Sequence, residues 1–254
     1  MRPLVMGVLN VTPDSFSDGG RWLDAGAAVA HGLRMVEEGA DVVDVGGEST
    51  RPGAEPVPLD EELRRVLPVV EALAPHIRVS IDTRKAEVAE AALAAGATLV
   101  NDVSATLAPV AAAAGPGVGW VAMHMQGDPR TMQDHPTYGD VVAEVTGFLV
   151  ERAAAAHVDE VWIDPGIGFG KTVEHNLALL AHLDTLVATG YPVVVGTSRK
   201  GFLGRLTGGA EADDRVEASV ATAAWAMAQG VAMVRVHDVR PTVAAARLLA
   251  AQPA

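Results

Sequence analysis

The sequence has no cysteine and few lysines, and each shortage removes a class of chemistry. Without Cys, the chain can form no disulfide, no thiolate metal site and no cysteine nucleophile. Lysine occurs only at Lys85, Lys171 and Lys200, and the formal net charge is −13. Because such a chain repels phosphate backbones and anionic lipids, we expect no nucleic-acid partner and no membrane partner.

Long hydrophobic runs are also missing from the chain. The apolar stretch at residues 4–9 is too short for the core of a signal peptide or for a membrane span. We therefore expect a cytoplasmic protein. Hydrophobic residues still make up 49% of the 254 residues, which is sufficient for a large core.

Short β-branched runs recur along the chain, separated by helix-like stretches rich in Ala and Leu. The eight runs cover residues 4–9, 41–45, 78–81, 98–100, 119–123, 161–163, 192–195 and 233–236. Gly39, Gly96, Gly190 and Gly230 each follow a helical stretch and precede a run, where a helix C-terminus favours glycine. This alternation predicts a single TIM (β/α)8 barrel domain spanning residues 1–254, with a doubly wound sheet as the alternative.

Polar residues or glycines follow nearly every run, at the strand ends where a TIM barrel carries its chemistry. They are Asn10, Gly46-Gly47-Glu48, Asp82, Asn101-Asp102, His124, Asp164, Gly196-Thr197-Ser198 and His237-Asp238. One polar strand end is ordinary loop chemistry. We interpret the whole set, which recurs in register, as a functional rim rather than as unrelated turns.

The glycine-rich loop at residues 164–171 fits neither common nucleotide-binding motif. Pro165 stands where a P-loop needs its first glycine, and the spacing G-x-G-x-G is one residue short of a dinucleotide fingerprint. What remains is a carboxylate, Asp164, beside a glycine backbone that a flat ligand can approach closely. A helix cap or an Asp-Pro turn is the alternative interpretation of this stretch alone.

In chain order, the motifs at the strand ends resemble those of the dihydropteroate synthase family. The matching segments are residues 10–20, 46–53, 80–83, 101–104, 123–127, 164–166, 198–200 and 235–238, so the resemblance covers essentially the whole chain. Two positions depart from many family members: Gly201 stands where many carry Ser, and Ala105 where many carry Gly. The first departure removes a side chain that could contact the second substrate, while the backbone N–H remains.

The resemblance implies that 6-hydroxymethyl-7,8-dihydropterin diphosphate condenses with p-aminobenzoate to give 7,8-dihydropteroate and diphosphate. Mg²⁺ is the implied cofactor and a homodimer the implied assembly. Two other functions stay open: a methyltransferase acting on methyltetrahydrofolate, and a catalytically silent paralogue that binds a pterin.

The resemblance also implies which residues hold the pterin. They are Asp82, Asn101, Met123, Asp164, Phe169, Gly196 and Lys200. Asp164 would accept two parallel donors, the ring N–H and the exocyclic amine of the pterin, in a bidentate pairing. Asn101 can both donate and accept, and Lys200 can donate to the carbonyl side of the pterin. Asp82 would offset positive charge that develops on the pterin, or would cap the following helix.

The remaining implied residues bind diphosphate and p-aminobenzoate. Asn10, Arg51, Arg235 and His237 would hold the diphosphate, with Asn10 also contacting Mg²⁺, which needs few protein ligands. A structural salt bridge is the alternative role of Arg235. The implied p-aminobenzoate residues are Phe16, Thr50, Pro52, Ser198, Lys200 and Gly201. The implied catalytic set is Asp82, Lys200, Arg235 and His237, whose task is departure of diphosphate and stabilisation of a pterin cation.

Overall fold

A computed structural model describes residues 2–12, 25–49 and 53–251. Its parallel strands form one sheet in the order β6-β5-β4-β3-β2-β1-β8-β7. The strands are β1 Leu4–Asn10, β2 Val42–Gly46, β3 Arg78–Asp82, β4 Leu99–Asp102, β5 Gly119–Met123, β6 Glu160–Asp164, β7 Val194–Val195 and β8 Met233–Val236. An isolated parallel bridge between Ile163 and Val193 joins the edge strands β6 and β7. The sheet therefore closes into a barrel.

Helices separate the strands along the chain. They are α1 Ala25–Glu37, α2 Leu59–Leu73, α3 Ala86–Ala94, α4 Ala108–Ala114, α5 Val141–Ala154, α6 Val173–Ala181, α7 Leu183–Val187, α8 Gly201–Leu206, α9 Val216–Ala228 and α10 Val239–Ala250. Every strand is followed by at least one helix, which confirms the (β/α)8 barrel and rules out the doubly wound sheet. Within the described ranges, no helix has both the length and the hydrophobicity needed to cross a membrane.

Strand residues alternate between the two sides of the sheet and so divide the core into two parts. One set, including Val43, Val45 and Ile81, packs outward with Val66 and Val69 of α2. The other set fills the barrel interior with an apolar cluster. Its buried members are Met6, Val42, Leu99, Val121, Trp162, Val194 and Met233.

Above this apolar cluster the barrel interior becomes polar. Asp44 pairs in register with Ser80, and both are fully buried. Two residues further along the strands, a row of four residues runs across four neighbouring strands in register. It consists of Asn10, Gly46, Asp82 and Asn101. The inward-facing strand residues thus form an apolar layer deep in the barrel and a polar rim at the C-terminal ends of the strands.

Candidate active site

A pocket of about 330 Å³, open to solvent, lies at the C-terminal ends of the strands. Its lining consists of Asp82, Asn101, Val103, Met123, Asp164, Gly166, Ile167, Phe169, Gly196, Lys200 and Arg235. All seven residues predicted to contact a pterin are in this lining. The structure therefore brings the predicted set together, although its role in binding remains a prediction.

Arg235 is held by two carboxylates. Its Nε donates to Oδ2 of Asp44 at 2.6 Å, and its Nη2 donates to Oδ2 of Asp82 at 2.7 Å. The salt bridge that the sequence left as the alternative role of Arg235 is thus present. Its contact with diphosphate is still a prediction.

Asp44 is a site residue that the sequence analysis missed. Its Oδ2 also accepts a hydrogen bond from Nδ2 of Asn101 at 2.9 Å. Because one amide N–H is committed to Asp44, Asn101 keeps its carbonyl oxygen and one N–H for a ligand. The available signal was an acid within a run of valines, since Asp44 interrupts residues 42–45.

Two acids in the pocket have raised pKa values. Burial raises the pKa of Asp82 to about 7, opposed by the charge of Arg235 and reinforced by the charges of Asp44 and Glu62. One guanidinium faces two carboxylates there, and their mutual repulsion favours a proton on one of them. Burial also raises the pKa of Asp164, opposed first by a hydrogen bond from the Gly166 backbone.

Asp164 combines the two roles that its sequence context suggested. Its Oδ1 accepts the backbone N–H of Gly166 at 2.7 Å, which is the turn expected of an Asp-Pro-Gly segment. The carboxylate is 5% exposed and also lines the pocket. The turn fixes the direction of the carboxylate, and the remaining lone pairs can serve a ligand.

Phe169 and Lys200 form one wall of the pocket. The Nζ atom of Lys200 lies 3.9 Å from the centroid of the Phe169 ring, within the range of a cation–π contact. Lys200 immediately precedes α8, whose first residue is Gly201. The predicted p-aminobenzoate residue Gly201 is therefore at a helix start, where its backbone N–H needs no helical partner.

His237 contributes a neutral ring rather than a charge. Its backbone N and Nδ1 lie 3.1 and 3.0 Å from Oγ of Ser198. Burial, together with the charges of Arg235 and Arg199, lowers the pKa of His237 to about 3. At neutral pH His237 can offer an anion a hydrogen bond, and among the described pocket residues the positive charge comes from Arg235 and Lys200. Ser198, which is predicted to bind p-aminobenzoate, thus lies next to His237, which is predicted to bind diphosphate.

The structure describes only some of the other predicted site residues. Asn10 is half-buried at the end of β1, in register with Gly46. Phe16, Thr50, Arg51 and Pro52 lie outside the described residues, so their predicted contacts stay predictions. Among the residues that are described, no group of three or more His, Cys, Asp or Glu side chains could hold a metal ion.

The barrel is closed, and its strand ends surround buried carboxylates, an amide and an aromatic side chain. This is the layout of an enzyme site for a flat, hydrogen-bonding heterocycle. Comparison with known proteins identifies the class of enzyme more closely. Residues 6–237 match the pterin binding enzyme family. Dihydropteroate synthase of Mycobacterium leprae is 52% identical, over 97% of this chain and 92% of that protein.

Comparison with solved structures points to the same family. Dihydropteroate synthase of Xanthomonas albilineans with 4-aminobenzoic acid superposes with a TM-score of 0.91 at 50% identity, covering 99% of this chain and 94% of that one. The same enzyme in complex with 7,8-dihydropteroate gives a TM-score of 0.88 at 47% identity, covering 99% and 95%. The chain therefore belongs to the pterin-binding enzyme family and, within it, to the dihydropteroate synthases, which are transferases of folate synthesis.

Proposed function

We propose that this chain joins 6-hydroxymethyl-7,8-dihydropterin diphosphate to p-aminobenzoate, forming 7,8-dihydropteroate and releasing diphosphate. The observation that carries the proposal is the convergence of Asp164, Asn101 and Lys200 on one pocket at the strand ends. Relatives with p-aminobenzoate or dihydropteroate bound support p-aminobenzoate as one substrate and dihydropteroate as the product.

The pocket suits the hydrogen-bonding edge of a pterin. Asp164, fixed by the Gly166 N–H, presents free lone pairs to the ring N–H and exocyclic amine. Asn101, oriented by Asp44, meets the neighbouring ring atoms with its carbonyl oxygen and its second N–H. Phe169 offers a flat apolar surface against which the ring can stack.

The reaction breaks the bond between the pterin methylene carbon and the diphosphate oxygen. A new bond forms from the p-aminobenzoate nitrogen to that carbon, and the nitrogen then loses a proton. As diphosphate leaves, positive charge develops on the pterin, and an ionised Asp82 at the pocket wall stabilises it electrostatically. Since the amine is neutral at pH 7, it needs little activation by a base.

Asn10 is the residue we assign to Mg²⁺. Its amide oxygen is a hard donor at the rim, and the described residues offer no cluster of acids for an all-protein metal site. Magnesium retains several waters and is commonly held by one or two protein groups together with phosphate oxygens, so this donor set fits. When bound, the ion would neutralise charge on the leaving diphosphate. Arg235, His237 and Arg51 complete the proposed diphosphate site.

We propose a cytoplasmic homodimer. Three large apolar side chains on the last three helices are exposed: Leu206, Trp225 and Leu248, at 53%, 43% and 72%. Apolar surface of this kind supports self-association. Light scattering after gel filtration should give twice the chain mass, and a single-chain mass at micromolar concentration would refute the dimer.

The decisive experiment is an assay of diphosphate release with and without p-aminobenzoate. A synthase releases diphosphate and forms dihydropteroate only when both substrates are present. A methyltransferase would release none, and a silent paralogue would bind the pterin without turnover. Either of the last two results would overturn the proposed reaction.

A further inference from the structure

Lys171 directly follows the glycine loop, residues 166–170, and its side chain is buried. The Nζ atom lies 3.0 Å from the Phe169 carbonyl oxygen, 3.3 Å from the His124 carbonyl oxygen and 3.0 Å from Nδ1 of His124. These contacts connect the loop after β6 to the end of β5. Lys171 is 3% exposed, and burying an amino group is costly unless its hydrogen bonds are satisfied, as they are here.

The glycine loop lies directly against the chain that follows β5. A Cβ atom at Gly166 would stand 1.9 Å from the His124 carbonyl oxygen, and one at Gly170 would stand 2.3 Å from that of Gln126. Asp164 lies just before this loop, and Phe169 is part of it. The position of the loop therefore decides where the carboxylate and the aromatic ring of the pocket stand.

The three contacts of Lys171 can be satisfied in either protonation state. A charged amino group donates to both carbonyls and to Nδ1 of His124. A neutral amino group donates to both carbonyls and accepts from an Nδ1–H, which requires the other tautomer of the ring. Burial lowers the pKa of Lys171 to about 7, and burial together with Lys171 lowers the pKa of His124 to about 3. The histidine thus stays neutral while the lysine titrates.

The groups around this contact are mostly uncharged. The Tyr138 ring centroid is 6.0 Å from Nζ of Lys171, and Phe148 stands edge-on to His124 with ring centroids 5.0 Å apart. His175 packs against Tyr138, whose pKa is raised to about 12 by burial and then by Glu144. The charges that act on Lys171 are those of Asp164, which favours protonation, and Lys200, which opposes it.

We propose that Lys171 is a positioning residue of the pterin pocket, whose amino group ties the glycine loop to the end of β5 and thereby sets the places of Asp164 and Phe169. This inference rests on the proposed pterin substrate. It gives Lys171 no contact with the substrate, so its effect must pass through the loop. The pocket lining includes Asp164 and Phe169 but not Lys171.

The first test compares Lys171→Met with Arg78→Met. Methionine keeps the length of the lysine stem and removes the donors. Arg78 pairs with Glu160 through two hydrogen bonds of 2.8 Å at the opposite end of the barrel, so its loss controls for a general decrease in stability. Calorimetry should show that Lys171→Met binds a pterin at least roughly tenfold more weakly than the wild type does. Arg78→Met should bind it with unchanged affinity. The KM for the pterin diphosphate should rise, while that for p-aminobenzoate should not.

The second test uses the wild-type protein and therefore does not depend on the variant folding. Nitrogen-15 NMR of His124 should show a change of tautomer near pH 7, when Lys171 loses its proton, without protonation of the ring. A charged amino group makes charge-assisted hydrogen bonds and should hold the loop more firmly than a neutral one, so the protonated form should bind pterin better. Bound pterin should then shift this midpoint upward, because linkage between the two sites is reciprocal. Asp82 also titrates near pH 7, so the readout must be the His124 ring itself.

Wild-type pterin affinity in Lys171→Met would overturn the inference, as would a His124 midpoint that pterin leaves unmoved. The proposed reaction is tested separately, by diphosphate release from the wild-type enzyme. A protein that binds pterin without turnover would refute the reaction and leave the Lys171 comparison intact.

Discussion

Arg235 donates from Nε to Oδ2 of Asp44 at 2.6 Å and so joins β8 to β2 across the barrel interior, although 191 residues separate the two in sequence. Asp44 is fully buried and shares the same oxygen with Asn101. Asp44 lies one layer below the pocket and orients two residues of its lining, Arg235 and Asn101. The carboxylate therefore links the stability of the barrel to the geometry of the site.

Asp44→Ala should lower the free energy of unfolding by about 2–4 kcal/mol, because it leaves a half-buried guanidinium with one partner fewer and removes the acceptor of Asn101. Urea denaturation followed by circular dichroism measures the change. Asp213→Ala is the matched control. Asp213 also pairs with an arginine, Arg199, but its side chain is 90% exposed, so its removal should leave the unfolding midpoint unchanged. Equal effects of the two substitutions would contradict the role given to Asp44.

Asp164→Asn should remove most of the affinity for a pterin while leaving the fold intact. An amide has one acceptor oxygen where the carboxylate has two, and the oxygen that accepts from Gly166 is already engaged. Loss of a charged partner to a buried pair of donors should cost roughly 2–5 kcal/mol of binding free energy. Calorimetry decides, with Asp140→Asn as control, since Asp140 caps α5 away from the pocket and Asn caps equally well. Retained affinity in Asp164→Asn would remove that residue from the site.

Local features of the fold were accessible from the sequence. All eight predicted runs are strands, and their bounds differ from the observed ones by two residues at most. Gly39, Gly96, Gly190 and Gly230 all have positive φ, as expected of glycines at helix C-termini. Such features depend on neighbours in sequence, so hydrophobic period and turn chemistry suffice to predict them.

The partners of the buried charges were not accessible in this way. Arg235 meets Asp44 and Asp82 across 191 and 153 residues, and Lys171 meets His124 across 47. These contacts exist only once the barrel closes. The same burial decides the charges of two residues that were predicted to hold diphosphate, Arg235 and His237, because only the arginine stays charged. Desolvation keeps His237 neutral, and this depends on packing rather than on residue type.

Activity should depend on the ionisation of Asp82, whose pKa burial raises to about 7. As pH falls through 7, the carboxylate gains a proton and loses the charge that stabilises a pterin cation. The kcat/KM for the pterin diphosphate should therefore decline on the acid side, and Asp82→Asn should be slow with no such decline. An identical acid limb in the variant would assign that titration to another group.

Asp82 should also affect stability with an unusual sign. Its folded pKa of about 7 lies above the ordinary aspartate value of 3.8, so the folded state binds the extra proton in that window. Stability from this group is complete below the lower value and is lost as pH rises through the upper one. Between pH 4 and 7, unfolding free energies of the wild type should decrease relative to those of Asp82→Asn. A difference that increases with pH would contradict the raised pKa.

Gly166→Ala and Gly147→Ala should change stability in opposite directions. Gly166 has a φ of +63°, and a Cβ there would stand 1.9 Å from a backbone oxygen of His124, which a side-chain rotation cannot relieve. The loop must move, so we expect a loss of at least about 1–3 kcal/mol and weaker pterin binding, since Asp164 is tied to Gly166 N–H. Gly147 lies within α5 with no atom near the position of a Cβ, so alanine there should stabilise the protein by roughly 0.5–1 kcal/mol. Denaturant unfolding and pterin calorimetry on both variants test this contrast. Unchanged pterin affinity in a folded Gly166→Ala protein would show that the pocket tolerates movement of the loop, and would separate the site from the close packing at the end of β5.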